Sequence, residues 1–303
     1  MKRMPTTLKD LMNNPKEALL KGHFACAGCG SALAFRHAIG AIADKAVVVI
    51  PACCTSVYQG FGRGVAFNVP TINVAFASSD AVAAGIKHAM EKKGKEAHVV
   101  AWAGDGGTAD IGIATLIGAC DRQDNILHIM YSNNVYSNTG GQRSGDTPIG
   151  ARTTTTPFGN KAQRKMVPFI MMANNASYVA TASVAYIPDL VDKVKKAISY
   201  DGFKFIEIDA SCPVAWKSDS ADSIKVARLA VETGVWPLFE WDNKSNKAVL
   251  SKRGSKFRNK ENRKPIEEWL NIQGRFKGMS DEEIKNLYAD VDRQWTFLEK
   301  FLE

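Results

Sequence analysis

The sequence contains no apolar run close to the roughly 20 residues that a membrane-spanning helix requires, so no membrane span is expected. Residues 1–7 also lack the hydrophobic core of a signal peptide, which disfavours export and predicts a cytoplasmic protein. In a reducing cytoplasm structural disulfides are not expected. The six cysteines are therefore predicted to be thiols that bind a metal or pack in a core.

Two common motifs are incomplete. The dinucleotide-binding pattern G-x-G-x-x-G would need a third glycine at position 109, which is alanine. A zinc site usually has two C-x-x-C pairs, and only Cys26 and Cys29 have this spacing. In the most basic segment, residues 244–264, Phe257 is nearly the only aromatic residue, which disfavours nucleic-acid binding.

The composition is that of a globular protein, with 45% hydrophobic and 23% charged residues in a chain of 303. Strand-like and helix-like segments alternate, which predicts an α/β fold with a mostly parallel sheet and helices on both faces. The predicted strands are Val47–Ile50, Ile72–Ala75, His98–Ala103, Ile126–Tyr131, Tyr178–Thr181 and Phe205–Ile208. The predicted helices are Ala32–Ala43, Ala81–Lys92, Ala109–Cys120 and Ile187–Ser199.

A glycine-rich turn follows one of these strands, and an asparagine pair follows the next. Asp105 stands between glycines in the first motif, and Asn133 begins the second. Their oxygens are ligands of the kind that Mg²⁺ shares with substrate phosphates. The helix predicted to begin near Thr108 would point its positive end at such an anion. The alternative is an ordinary strand-to-helix turn followed by a polar loop.

The cysteines form a second constellation. Cys26 and Cys29 lie in a glycine-containing loop, whereas Cys53, Cys54 and Cys212 follow predicted strands. Four thiolates suit a [4Fe–4S] cluster or a structural zinc ion. Unliganded thiols, including a redox-active C-x-x-C pair, are the remaining alternatives, and the spacing alone leaves all of them open.

Taken together, these motifs identify a resemblance to a known family. The chain resembles the beta subunit of 2-oxoacid:ferredoxin oxidoreductases, of the pyruvate:ferredoxin oxidoreductase (pyruvate synthase) type. The similarity runs from about residue 20 to about residue 240. The matching segments, in order, are residues 23–30, 104–112 and 133–142, then Thr147-Pro148 and Cys212-Pro213.

The resemblance implies a thiamine-diphosphate-binding fold and a proximal [4Fe–4S] cluster. Carried over by position, Cys26, Cys29, Cys54 and Cys212 resemble the cluster ligands. Cys54 is preferred over Cys53 because the family usually has a single cysteine at the second of these positions.

The resemblance also assigns the cofactor site. Asp105 and Asn133, together with the carbonyl group of Val135, resemble the Mg²⁺ ligands. Asn138 resembles a catalytic asparagine that faces the substrate-derived part of the cofactor. Asp110 is the second candidate catalytic residue, with a role in its own helix turn as the alternative.

Further cofactor-binding residues follow from the same comparison. Gly104, Gly106 and Gly107 would let the backbone approach the diphosphate. Gly30 and Ser31 would lie between the cofactor and the cluster.

The implied reaction is the oxidative decarboxylation of a 2-oxoacid, with electrons passed through the cluster to ferredoxin. Pyruvate with coenzyme A is the expected case, while 2-oxoisovalerate, 2-oxoglutarate and oxalate are alternatives. The Cys53-Cys54 doublet looks more like the branched-chain enzymes. A second alternative is a non-redox thiamine-diphosphate decarboxylase or lyase with a structural zinc site.

One expected part is missing from the motif regions. Thiamine diphosphate generally needs a glutamate to activate its aminopyrimidine ring, and none is found there. In this family the glutamate belongs to the alpha subunit, so the chain is predicted to be inactive alone. The expected partners are this alpha subunit, gamma and ferredoxin-like delta subunits or fused equivalents, and ferredoxin, in an anaerobic setting.

The chain is predicted to divide into residues 1–240, which hold the cofactor and cluster, and residues 241–303, a basic segment with a C-terminal helical extension. The basic segment is a solvated surface, or a docking surface for acidic ferredoxin or a partner subunit. Ser280 and Glu283 have the spacing of a capping box. One apolar stripe follows, formed by Ile284, Leu287, Tyr288, Val291, Trp295 and Leu298.

Overall fold

The computed structural model describes residues 5–12 and 17–302, and over these residues the strands form one large sheet and one short hairpin. The strands are β1 (Ala46–Pro51), β2 (Thr71–Val74), β3 (His98–Gly104), β4 (Leu127–Ser132), β5 (Val135–Tyr136), β6 (Gln142–Arg143), β7 (Tyr178–Ser183), β8 (Lys204–Asp209), β9 (Phe239–Asp242) and β10 (Lys247–Leu250).

The large sheet is mostly parallel, as predicted. Its strand order is β10-β9-β7-β8-β4-β3-β1-β2. The strands from β7 to β2 pair in parallel, whereas β9 and β10 add an antiparallel edge beside β7. The carboxyl ends of β8, β4, β3 and β1 therefore meet at one edge of the sheet, where sites in such folds are found.

Helices cover both faces of the sheet. Side chains alternate along β3, so that Val99 and Ala101 belong to the core on one face and Val100 and Trp102 to the core on the other. The helices are α1 (Leu8–Met12), α2 (Gly30–Gly40), α3 (Cys54–Gln59), α4 (Ser79–Lys92), α5 (Ile113–Asp121), α6 (Val167–Ala173), α7 (Ile187–Ala197), α8 (Pro213–Trp216), α9 (Ser223–Glu232), α10 (Ile266–Asn271) and α11 (Asp281–Glu299).

The predicted helix over residues 109–120 differs from the observed one. It begins with a π-helical turn, Gly106–Asp110, and α5 follows only at Ile113. The turn is closed by the amide of Ile111, which donates to the carbonyl of Gly106 at 3.3 Å. A wide turn of this kind is frequent at functional sites. The other predicted strands and helices are present with shifted ends.

The C-terminal segment packs on the same sheet. Ser280 and Glu283 form the predicted capping box at the start of α11. The stripe of this helix buries Trp295 and Leu298 in the core that also contains strand β9. The predicted division after residue 240 falls inside β9. None of the helices within the described ranges is long and apolar enough to cross a membrane.

Candidate functional site

The candidate site is a cavity of about 460 Å³ at the carboxyl edge of the sheet. Asp105 follows β3 directly and Asn133 follows β4, while Cys54 lies just beyond β1. All three line the cavity, together with Val135 and Asn138. The parallel arrangement of β4, β3 and β1 brings these distant parts of the sequence together.

The carboxylate of Asp105, the side-chain amide of Asn133 and the carbonyl of Val135 converge on one side of this cavity. With its NH₂ turned toward them, the amide of Asn133 donates to Oδ1 of Asp105 at 2.7 Å and to the carbonyl of Val135 at 2.8 Å. In the opposite orientation the amide oxygen faces the same two oxygens. A hard cation is what such a set of acceptors can hold.

Two consecutive buried side-chain hydrogen bonds hold the π-helical turn that precedes α5. The hydroxyl of Thr108 lies 3.0 Å from Nε2 of His128, and Nδ1 of His128 lies 2.7 Å from Oδ1 of Asp80. Because the Asp80 carboxylate only accepts, Nδ1 of His128 donates to it, and Nε2 faces the hydroxyl of Thr108. These two hydrogen bonds connect the turn to His128 in β4 and Asp80 in α4.

Tyr136 covers the first residue of the turn. A Cβ atom on Gly106 would lie 2.3 Å from the ring of Tyr136, so only glycine fits there. The hydroxyl of Tyr136 donates to Asp110 at 2.8 Å, and Asp110 also accepts from the amide of Gly145 at 2.8 Å and from Lys165 at 2.7 Å. Asp110 is held by these contacts and does not line the cavity. Gly104 and Gly107 do line it.

A cluster of buried acidic side chains lies behind Asp105. Ser144 donates to Asp105, while Ser132 and Asn134 donate to Asp146. Burial, and then repulsion from Asp146, raises the pKa of Asp105 well above its usual range. A cation bound beside the converging oxygens would oppose this shift, because it would stabilise the ionised carboxylate of Asp105.

Arg275 is the main cation that reaches this cluster from the C-terminal segment. Its guanidinium donates to Oδ1 of Asn134 at 3.2 and 3.3 Å and lies 4.1 Å from the centre of the Trp216 ring. Burial lowers its pKa to about 9, although the charges of Asp209 and Cys212 oppose this shift. Asn134 has a left-handed backbone with φ of 60°, and Arg275 fixes its side chain.

Asp209 gives the cluster a measurable pH dependence. Burial raises its pKa to about 7 from an ordinary value of 3.8, with Arg275 opposing the shift. The folded state thus keeps a proton that the unfolded state releases. The resulting stability is fully present below about pH 4 and is lost as the pH rises to about 7.

Asp209→Asn is expected to flatten this dependence. Between pH 5 and pH 7 the free energy of unfolding should fall by about 2 kcal/mol less in the variant than in the unsubstituted protein. Denaturant unfolding at several pH values measures the slope. Glu282→Gln, at an exposed position of α11, is the matched control and should keep the original slope. Equal slopes for all three proteins would contradict the assignment.

The thiols of Cys26, Cys29, Cys54 and Cys212 are linked by electrostatic interactions. The pKa of Cys29 is raised to about 11, chiefly by burial and also by Cys212 and Cys26. Burial likewise raises the pKa of Cys54, to which Cys212, Cys53 and Cys29 contribute. Cys53 itself contacts the hydroxyl of a buried tyrosine, Tyr131. The thiol of Cys54 thus interacts with those of Cys212 and Cys29, whereas that of Cys53 contacts Tyr131.

Backbone amides already point at two of these sulfurs. Cys29 precedes α2 and accepts from the amides of Ala32 and Ser31, and Cys212 precedes α8 and accepts from the amide of Ala215. Within residues 5–12 and 17–302 no three Cys, His, Asp or Glu side chains meet as ligands of one ion. The thiolates of a [4Fe–4S] cluster bind different irons, so their sulfurs lie farther apart than the ligands of one zinc ion.

Gly30 and Ser31 lie away from the main cavity. A Cβ atom on Gly30 would lie 2.5 Å from the amide nitrogen of Ser211, so Gly30 allows α2 to approach the end of β8. It lines a second cavity of about 420 Å³. The hydroxyl of Ser31 is buried, 3.0 Å from that of Tyr58. Gly30 thus lies beside Cys26 and Cys29, and Ser31 contacts the core.

The basic segment over residues 244–264 is partly neutralised by acids from elsewhere in the chain. Arg258 pairs with Glu299 at 2.7 Å, Lys260 with Asp292 at 2.7 Å and Lys264 with Glu232 at 2.9 Å; Arg263 lies 4.4 Å from the centre of the Trp295 ring. These pairings favour the interpretation as a solvated surface.

Several site residues were not singled out from the sequence. Ser137 lies in the matching segment 133–142 but was given no role there, and Ser144 lies in the polar loop that follows, where the only signal was the loop's polarity. His128 lies within an apolar strand, where a lone polar residue indicates a partner. Arg275 gave no local signal, because its contact with Asn134 spans 141 residues.

Comparison with known proteins agrees with this geometry. The family model of the thiamine pyrophosphate enzyme C-terminal TPP binding domain matches residues 53–208, which include Asp105 and Asn133. A solved 2-oxoglutarate:ferredoxin oxidoreductase from Magnetococcus marinus has a similar fold, with a TM-score of 0.57 and 21% identity, over 75% of this chain and 81% of that one. The fold and the match define the class of thiamine-diphosphate enzymes.

Curated relatives specify the family more closely. The chain is 41% identical to ketoisovalerate oxidoreductase subunit VorB of Pyrococcus horikoshii, over 99% of this chain and 98% of that protein. It is 40% identical to pyruvate synthase subunit PorB of Methanothermobacter thermautotrophicus, over 91% and 96%. The chain belongs to the beta subunits of the 2-oxoacid:ferredoxin oxidoreductases. The predicted family and fold are thereby confirmed.

Proposed function

We propose that this chain, assembled with its partner subunits, catalyses the thiamine-diphosphate-dependent oxidative decarboxylation of a 2-oxoacid and passes the electrons through a [4Fe–4S] cluster to ferredoxin. The observation that carries the proposal is the shared cavity. Asp105, Asn133 and Val135 line it together with Cys54 and Asn138. The proposed cation ligands and the thiol of Cys54 thus line the same cavity.

Asp105, Asn133 and the carbonyl of Val135 would hold Mg²⁺, which would share its remaining ligand positions with the diphosphate. A cation there would offset the repulsion between Asp105 and the other buried carboxylates. The absence of a side chain at Gly106 lets the ring of Tyr136 pack against the turn that would bind the diphosphate. When bound, thiamine diphosphate supplies the nucleophilic carbon and the electron sink for decarboxylation.

Cys26, Cys29, Cys54 and Cys212 would hold the cluster. Their thiols interact with one another, and backbone amides stabilise the negative charge that ligation requires. Asn138 lines the cavity beside Cys54 and would contact the substrate. Asp110 would act at the site indirectly, because it accepts a hydrogen bond from the hydroxyl of Tyr136 at 2.8 Å and so fixes that ring.

Pyruvate is the proposed substrate and 2-oxoisovalerate the second candidate. Relatives named for each match this chain at nearly equal identity. The cavity wall that contains Val57, Phe61 and Phe76 is apolar and suits an aliphatic acyl group. Among the described lining residues there is no Lys, Arg or His to pair with the second carboxylate of 2-oxoglutarate or oxalate.

The partner subunits would complete the site. Asp105 is the only acidic side chain among the described residues that line the cavity, and no glutamate lies there. An alpha subunit is therefore proposed to supply the activating glutamate. Gamma and ferredoxin-like delta subunits would carry the electrons to ferredoxin. A cytoplasmic location stays a prediction.

The test uses the native complex, purified without air. Pyruvate, 2-oxoisovalerate, 2-oxoglutarate and oxalate are added separately, and the reduction of ferredoxin is followed with and without coenzyme A. Reduction with pyruvate that requires coenzyme A is the expected result. Faster reduction with 2-oxoisovalerate would select the second candidate. A colourless complex that reduces nothing would overturn the proposal and favour a non-redox enzyme with zinc.

A further inference from the structure

The loop from Asn133 to Asn138 touches both halves of the candidate site. At its start, the side chain of Asn133 contacts Asp105. At its end, the side-chain oxygen of Asn138 lies 2.7 Å from Sγ of Cys54. Between them, the hydroxyl of Ser137 lies 3.1 Å from the amide of Asn133 and 3.6 Å from Sγ of Cys212. Ser137 also interacts with the thiol of Cys54.

The loop is held at several points. The indole of Trp216 donates to the carbonyl of Asn133 at 2.7 Å, and Val135 and Tyr136 pair with β6. The hydroxyl of Tyr136 is fixed by Asp110. The side chains of Ser137 and Asn138 therefore project from a constrained backbone, and Ser137 contacts the side chain of Asn133 directly.

We propose that Ser137 and Asn138 are positioning residues that donate hydrogen bonds to the sulfurs of Cys212 and Cys54, so that this loop links the cation and diphosphate site to the cluster. The inference rests on the proposed function. A serine hydroxyl and an asparagine NH₂ are donors that can reach a thiolate. When Cys54 is a thiolate, the amide of Asn138 presents its NH₂ in place of its oxygen.

The linkage has a defined effect on the cluster. A cluster gains negative charge when it takes up one electron, and hydrogen bonds to its sulfurs stabilise that charge. Loss of one such bond should lower the equilibrium constant for reduction by about tenfold, because hydrogen bonds to charged groups contribute about 1.5 kcal/mol or more. For a one-electron couple, tenfold equals about 59 mV.

The experiment is a reductive titration of the native complex, with dithionite as the electron donor and electron paramagnetic resonance as the readout. Ser137→Ala and Asn138→Leu should each lower the midpoint potential of the proximal cluster by about 59 mV. Ser137→Thr keeps the hydroxyl and should restore the original value. Thr139→Val is the matched control, since this hydroxyl bonds to Gln142 at 2.5 Å and not to a cysteine.

A second titration tests the linkage itself. Removal of thiamine diphosphate and Mg²⁺ should shift the midpoint in the unsubstituted complex and shift it less in Ser137→Ala. Midpoints that agree in all variants, in a complex with full iron content, would overturn the inference and leave the proposed function intact. Absence of any cluster signal in the unsubstituted complex would instead refute the proposed function.

Discussion

The complex that carries Asp105→Ala is expected to lose thiamine diphosphate and Mg²⁺ and to show no turnover. Asp105 is buried and contributes the only carboxylate among the described lining residues. Loss of a group that merely orients a metal ligand costs about 10- to 100-fold in affinity, so removal of the ligand itself should cost more. Cofactor content after gel filtration and calorimetric titration with the cofactor measure the effect.

Two further variants provide an intermediate effect and a control. Ser144→Ala removes the hydroxyl that donates to Asp105 and should weaken cofactor binding about 10- to 100-fold. Asp121→Ala, at the exposed end of α5, should leave the affinity unchanged. Full cofactor content in Asp105→Ala would remove this residue from the proposed metal site.

The second large effect is expected from a neighbouring pair of variants. Cys54→Ala should yield a complex without the brown colour, iron or sulfide of the proximal cluster, because Cys54 shares its space with Cys29 and Cys212. Cys53→Ala should keep all three, since the thiol of Cys53 contacts Tyr131. Metal analysis and visible absorption under anaerobic conditions distinguish the two.

Thiamine diphosphate content serves as the internal control for folding. Both cysteine variants should retain the cofactor, because its proposed ligands Asp105, Asn133 and Val135 follow β3 and β4 and are not cysteines. A cluster that survives in Cys54→Ala but is lost in Cys53→Ala would exchange the roles of the two cysteines.

The sequence predicted the positions of the strand-end residues well. Asp105 and Asn133 follow apolar runs in an alternating α/β pattern, and parallel strands bring such residues to one edge. The family was identified in the same way, because each of its motifs is a short stretch of sequence. Patterns within about ten residues carry this information, since the side-chain periodicities of strands and helices repeat over short spans.

The rest of the site depends on contacts that leave no periodic signal. The bond from Ser144 to Asp105 spans 39 residues. Gly30 is explained by the close approach of Ser211, which only the tertiary structure reveals. The π-helical turn at Gly106 was missed because helical periodicity does not register one additional residue in a turn.

The contact between Arg275 and Asn134 has a consequence for biosynthesis. Arg275 is synthesised 141 residues after Asn134. A nascent chain that ends before Arg275 lacks the guanidinium that donates to the side chain of Asn134. The loop after Asn134 is therefore expected to reach its final arrangement only after residue 275 has been added.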